Sequence, residues 1–398
     1  MVGSLSPRGL FHLGGGERTV ENRHTQYRSR QNVIPERMPT VILGRSGLEV
    51  SVIGWGAPGS TGKPEDMGSN SKSSRSIWTT FQSRGGNFLD TAPSYWDSEA
   101  LIGQHVSRHR NDFVLATKSH PVDAVKTLDE VETSLERMKT DVIDLFYAPH
   151  GCSTEEQLYN SLKKGGVMEG AVKAKERGLV KHIAFSFDYF QKLDIHRLRE
   201  LIRTGVYEVV QLPCCLVRVE PIEKEIIPLA KEEGMGVVAN FPTMNALTAR
   251  EWGVFYSVFE GIVDTPGQAS LLAVLCHPDI DCVLVRFSSP ARVEENCFAG
   301  RRFAAMDIDE KLELRRRVEA MGQVRFLERG ECPPAPEGVN FRQAMIYFDL
   351  FTRFGFSGAR PTVENFLRRV REHPDFEWDD TARAAIEEVQ RACPVLLT

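Results

Sequence analysis

The chain has 398 residues, 41% of them hydrophobic and 26% charged, with a net charge of −5. That is room for one large α/β domain with a smaller appendage, or for two domains. The balance excludes a globally basic nucleic-acid binder, and no apolar run reaches the roughly 20 residues a membrane-spanning helix needs.

Residues 1–38 are rich in Gly, Arg, Asn and Ser and poor in large apolar side chains. They read as a disordered leader, too polar to offset its ordering entropy. An organelle transit peptide is the less favoured reading, because acidic residues are present. The eight cysteines, at 152, 214, 215, 276, 282, 297, 332 and 393, form no CxxC pair. Reduced thiols in a cytoplasmic protein are the expectation, with no metal site.

From residue 39 short β-branched runs alternate with longer amphipathic stretches. The runs are VSVIGWG at 50–56, NFLD at 87–90, FVLATK at 113–118, VIDLFYA at 142–148, HIAFS at 182–186, EVVQL at 208–212, GVVAN at 236–240 and CVLVR at 282–286. Each has the look of a buried parallel strand. LDEVETSLERMKT (128–140) and GGVMEGAVKAKERG (165–178) between them read as helices, the second stopped by Gly178. Eight βα repeats over about 250 residues predict a closed (β/α)8 barrel, the TIM-barrel form of the α/β class. An open doubly wound sheet fits less well, because GWGAPGS rather than a GxGxxG follows the first strand. The barrel is expected over 39–308, followed by a helical extension over 309–398.

In such a barrel the chemistry sits at the carboxyl ends of the strands. Asp90 ends the second predicted strand, with Tyr95 just beyond. Lys118 ends the third and His150 follows the fourth. Ser186, Gln211, Asn240 and Arg286 end the fifth to eighth. Each has a bland reading alone: a helix cap, a packed ring, a solvated cation. Their convergence on successive strand ends implies a site. The set suits hydride transfer to a carbonyl carbon, which leaves an oxygen in need of a proton. A tyrosine is a weak acid near pKa 10, and a neighbouring ammonium favours its phenolate. Asp90 would hold Lys118, and His150 would orient the carbonyl.

These residues lie in segments that resemble a known family. NFLDTAPSYWDSEALIG looks like the FDTAxxYxxSExxxG segment of aldo-keto reductases, and LATKSH, DVIDLFYAPHG, GLVKHIAFSF and VVQLP follow in the family's order. VRFSSPARVEEN resembles its cofactor 2′-phosphate segment, K-S-x-T-P-x-R-I-x-E-N. The resemblance spans about residues 39–305. It implies a catalytic tetrad of Asp90, Tyr95, Lys118 and His150. It also implies nicotinamide contacts from Ser186 and Gln211, with Asn240 beside them, and an adenine end built from Arg286, Ser288, Ser289, Arg292, Glu295 and Asn296. Arg286 and Arg292 suit a phosphate, which guanidinium grips with paired hydrogen bonds, so the implied cofactor is NADP rather than NAD. The implied reaction interconverts a small-molecule carbonyl and its alcohol. A non-redox lyase or epimerase retaining NADP, and a cofactor-binding regulatory protein, are the alternatives.

Several positions depart from the family pattern. Phe187 stands where Asn is common, Asn240 where an aromatic stacks on nicotinamide, and Trp96 where Gly follows the tyrosine. AFSFDYF looks like the family branch that carries a C-terminal ferredoxin-like iron–sulfur tail. Only Cys332 and Cys393 would remain of its cluster ligands, too few for a four-iron centre. MIYFDLF (345–351) in that tail is expected to pack on the barrel. Substrate identity and oligomeric state are not legible.

Overall fold

The computed structural model describes residues 33–57, 71–120, 122–151, 155–187, 195–214, 222–242, 259, 261–320, 335, 336, 339, 344, 348 and 360–392, apart from the side chains of 71–74, 155, 319, 320, 360–362, 381 and 392. Residues 1–32 and Cys332 and Cys393, with the readings placed on them, lie outside this set.

A two-stranded hairpin opens the described chain: β1 (Thr40–Ile42) pairs antiparallel with β2 (Glu49–Ser51). Eight parallel strands then close into a barrel, each hydrogen-bonded to the next in sequence and the last to the first. They are β3 (Ile53–Gly56), β4 (Phe88–Asp90), β5 (Val114–Lys118), β6 (Ile143–His150), β7 (Val180–Ser186), β8 (Val209–Pro213), β9 (Gly236–Asn240) and β10 (Cys282–Val285). The outer helices are α1 (Ser71–Ser83), α2 (Ser98–Val106), α3 (Ala124–Met138), α4 (Glu155–Leu162), α5 (Val167–Glu176), α6 (Ile195–Arg203), α7 (Ile227–Glu232), α8 (Pro266–Leu275) and α9 (Pro290–Ala305). The barrel reading of the sequence therefore holds.

The first predicted strand needs correction. The run at 50–56 is two strands, not one. Val50 and Ser51 pair with β1, and Val52 turns the chain: its N–H donates to Pro39 O at 3.1 Å, while its carbonyl receives Val283 N–H at 2.9 Å. The hairpin covers the amino-terminal end of the barrel. Gly44, at φ +47°, bridges to Met235, and a Cβ there would lie 2.2 Å from Gly236 N. The Arg45 guanidinium caps the carbonyls of Glu233, Gly205 and Tyr207 at 2.6–3.0 Å. With this end closed, function is left to the other.

Strand residues alternate between two cores, as the period-2 pleat requires. Phe88, Ala116, Leu145, Tyr147, Ala184, Val209, Val238, Cys282 and Leu284 fill the barrel interior with Leu43 and Val50. Their neighbours Leu89, Leu115, Phe146, Ile183, Phe185, Val210, Val237 and Val283 face the helices. Two residues beyond the interior layer, the same parity brings up Asp90, Lys118, Ser186, Gln211, Asn240 and Arg286. Strand β6 breaks the count. Tyr147 pairs with Ala184 but His150 pairs with Ser186, so three steps on β6 oppose two on β7. This bulge, which contains the cis Ala148–Pro149 peptide, turns His150 rather than Pro149 to the interior face.

Beyond the barrel, α10 (Ile308–Ala320) adds Leu314 and Val318 to the main core. The buried Arg315–Glu223 ion pair, 3.0 Å, fixes α10 to the segment before α7. A second small core joins Val339, Ala344 and Phe348 to α11 (Arg360–Glu372) and α12 (Asp380–Ala392) through Val363, Phe366, Leu367, Ile386 and Val389. Of the MIYFDLF segment, Phe348 is described, and it belongs to this second core rather than to the barrel core.

Helix α2 carries the chain away from the site and packs closely on α3. A Cβ on Gly103 would lie 2.3 Å from Arg137 O and 2.8 Å from Met138 C. Gly103→Ala should therefore cost about 1–3 kcal/mol in thermal or denaturant unfolding, the scale of overpacking. Gly267→Ala in α8 meets ordinary contacts at 3.5 Å or more and should be neutral or stabilising, since Ala gains up to about 1 kcal/mol in a helix. Equal effects of the two would refute the close α2–α3 contact.

Candidate active site

The site begins with an ion pair. Lys118, 1% exposed, reaches across from the end of β5 and donates through Nζ to the Asp90 carboxylate, 5% exposed, at the end of β4. Nζ also donates to Thr91 O at 2.9 Å. A buried ammonium without such partners would be prohibitively costly. Burial pushes the Asp90 carboxyl up, against the opposing pull of Lys118 and of Gln211, whose Nε2 donates to Asp90 at 3.1 Å.

Two phenols flank the ammonium. Nζ lies 5.0 Å from the ring centre of Tyr147 and 5.5 Å from that of Tyr95. Tyr147 is in the barrel interior, where burial pushes its hydroxyl pKa well above 10. It is an apolar floor with a protonated phenol. Tyr95 is half-buried on the turn between β4 and α2. That turn is held from behind: Thr91 and Ser98 hydroxyls meet at 2.5 Å, and buried Glu99 accepts from Thr117 Oγ1 at 2.8 Å and pairs with Arg137. Trp96, at φ +49° and 53% exposed, stands beyond Tyr95 on the open side.

His150 is 6% exposed and its ring centre lies 6.4 Å from that of Tyr95. Burial, with Lys118 and His120 adding repulsion, pushes its pKa well below 6.5, so the imidazole is neutral. Its Nδ1 lies 2.6 Å from Ser186 Oγ. The serine hydroxyl has no other acceptor among the described residues, so its proton is best placed on this bond. Nδ1 is then the acceptor and Nε2 carries the hydrogen. Ser186 thereby makes His150 a donor toward the barrel mouth.

The remaining strand ends form an amide chain. Asn240 Nδ2 donates to Phe187 O at 3.1 Å and leans on Gln211 Oε1 at 3.4 Å. Asn240 Oδ1 is buried with no hydrogen-bond partner among the described residues. Buried acceptors left in this way are uncommon and point to a missing donor.

Arg286 and Ser288 are exposed at the carboxyl end of β10. Ser289 caps α9, its Oγ receiving Arg292 N–H at 3.3 Å. Arg292 is 60% exposed and paired with Glu295, whose other oxygen accepts from Thr265 Oγ1 at 2.8 Å; Asn296 is buried one residue on. The expected adenine-end residues are thus gathered on the end of β10 and the first turns of α9. Sequence reasoning missed His120, whose ring lies 5.6 Å from that of His150. It follows Lys118 by two residues, which was the available signal. No group of three or more His, Cys, Asp or Glu is arranged to hold a metal among the described residues.

Comparison with known proteins now fixes the class. The model of the aldo/keto reductase family matches residues 52–252, and the chain belongs to this family of oxidoreductases. It is similar to L-galactose dehydrogenase of Arabidopsis thaliana, 26% identical over 302 residues that cover 68% of this chain and 90% of that protein. It is also similar to an uncharacterised oxidoreductase of Bacillus subtilis, 26% identical over 220 residues, where the match covers 52% of this chain and 65% of the relative. An aldo/keto reductase of Klebsiella pneumoniae, solved in complex with NADP and acetate, superposes with a TM-score of 0.55 at 21% identity, over 70% of this chain and 95% of its own. At that identity the likeness shows the fold alone.

Ser186→Ala should leave the fold intact and release the His150 tautomer. Nitrogen NMR should show an Nε2-protonated neutral ring in the parent protein and a mixture in the variant. An unchanged tautomer would refute the role given to Ser186.

Proposed function

We propose that this protein is an NADP(H)-dependent oxidoreductase that reduces a small aldehyde or ketone, or oxidises the corresponding alcohol. The observation that carries the reading is the buried Lys118–Asp90 pair with its ammonium 5.5 Å from the Tyr95 ring, beside a neutral, mouth-facing His150.

The residues present suit the cofactor. Asn240 Oδ1 is a buried acceptor without a donor, which an amide N–H of a nicotinamide would satisfy. Arg286 and Arg292 offer exposed guanidinium groups for a 2′-phosphate. Ser288, Ser289, Glu295 and Asn296 would contact the adenosine end. When bound, the reduced nicotinamide supplies the hydride.

The chain's own part is positional and protonic. His150 Nε2–H donates to the carbonyl oxygen, fixing its direction and polarising it. Tyr95 Oη–H gives that oxygen a proton as negative charge develops, and takes it back in the reverse direction. Lys118 stabilises the phenolate left behind, and Asp90 holds Lys118 in place. Gln211 braces Asp90 from the adjoining strand, and Ser186 sets His150. The interior phenol of Tyr147 seals the floor against water.

A second reading, net non-redox chemistry with retained NADP, is favoured by one observation. The Asn240–Gln211–Phe187 amide chain occupies the place where the family's stacking aromatic is expected. Incubation with NADPH and a panel of aldehydes and ketones separates the two. The redox reading expects one NADPH lost per alcohol formed, while product without cofactor change would establish the other.

The phosphate assignment has its own test. Replacing Arg286 and Arg292 together by Ala should weaken NADPH binding, measured calorimetrically, by about 1.5–3 kcal/mol for each charged hydrogen bond lost. NADH binding should hardly change, and equal losses for both cofactors would overturn the assignment.

A further inference from the structure

We propose that His120 is a specificity-determining residue that selects carbonyl substrates carrying a carboxylate. The inference rests on the redox reading above and adds the substrate class.

Lys118 is the last residue of β5, and the next two residues carry the chain over the barrel mouth. Ser119 turns outward, its hydroxyl bonded to Glu130 on α3. His120 comes next, half-buried, with its ring edge-on to His150 at 5.6 Å between centres. Two imidazoles therefore lie side by side beyond the end of β5.

They are not equivalent. His150 is enclosed, tied to Ser186 and kept neutral. Its place is over the reacting oxygen. The His120 side chain makes no hydrogen bond within the described residues, and it is open on one side. Among the described residues, the carboxylates next to it in the chain or bonded to its neighbours are already committed. Asp90 serves Lys118 and Gln211. Asp123 caps α3 through the N–H groups of Val125 and Lys126. Glu130 holds Ser119. Among the described residues, Asp90, Asp123 and Glu130 are thus in use, and the His120 imidazole beside His150 is left without an anionic partner. A substrate carboxylate close in the chain to its carbonyl would supply one. With the carbonyl on His150 and Tyr95, His120 would donate to the carboxylate, a charge-assisted bond. Association with the wrong, uncharged substrate would leave that donor unmet.

Matched substrates test this directly: 4-oxobutanoate and its methyl ester, which differ in the charge of one group. With saturating NADPH, the parent protein should favour the carboxylate in kcat/KM by roughly 10- to 100-fold, the effect of one hydrogen bond to a charged group. The preference should lie in KM rather than kcat, because His120 does not touch the reacting atoms. His120→Gln should reduce the preference and His120→Phe abolish it, each read as the ratio of kcat/KM for acid and ester within one variant. A parent protein that treats the two alike, or variants that keep the preference, would overturn the proposal. Failure of the redox reading looks different, since neither compound would then consume NADPH. Calorimetric binding of 4-hydroxybutanoate would still decide the point: it should weaken in His120→Phe, and equal binding by parent and variant would refute the role of His120.

Discussion

A salt bridge with almost no access to water, Lys118 to Asp90, is the constraint around which the barrel mouth is arranged. Neither charge is tolerable alone at 1% and 5% exposure, and breaking such a pair costs about 3–5 kcal/mol. The pair must be completed by neighbours. Thr91 O and the Gln211 amide complete it, and Asn240 in turn engages Gln211. Four strand ends, β4, β5, β8 and β9, are thereby held in one polar layer above an apolar interior. The same burial that makes the pair expensive makes its charge effective, because an ammonium in a poorly solvated place acts strongly on a phenol beside it.

A second constraint is arithmetic. Interior-facing positions recur every two residues, so the layer above the barrel core is determined once the core is. That count places Asp90, Lys118, Ser186, Gln211, Asn240 and Arg286 together without further specification. It would place Pro149 with them. The bulge in β6 substitutes His150, and the Ser186 hydroxyl on the facing strand then defines its ring. The departure from regular pairing occurs at the imidazole to which the proposed function assigns the carbonyl oxygen.

Much of this was legible in the sequence. Eight β-branched runs gave the barrel, and the polar residues at their ends gave a converging layer, because both follow from local pattern; their roles as a tetrad were implied by family resemblance. The hairpin did not show itself: VSVIGWG is a continuous apolar run, and only the tertiary partners Pro39, Asn87 and Val283 divide it at Val52. The bulge was hidden for a similar reason, since register belongs to a pair of strands. Ser186 was read as a cofactor contact, whereas its hydroxyl also serves His150, a link across 36 residues that spacing cannot reveal. His120 was passed over because its closeness to Lys118 in the chain does not say that its ring lies beside His150. Asn240 was marked as a departure from the family, and its partnerless oxygen gives that departure physical content.

The central claim is that the proton reaching the substrate oxygen comes from Tyr95. Tyr95→Phe keeps the ring and removes only the donor. Protein loaded with NADPH and mixed rapidly with an excess of a reducible aldehyde reports the chemical step in a single turnover, through loss of nicotinamide absorbance. The account predicts that this step slows by about 100-fold or more, with NADPH affinity unchanged. A Tyr95→Phe protein that completes the turnover at close to the parent rate would contradict it.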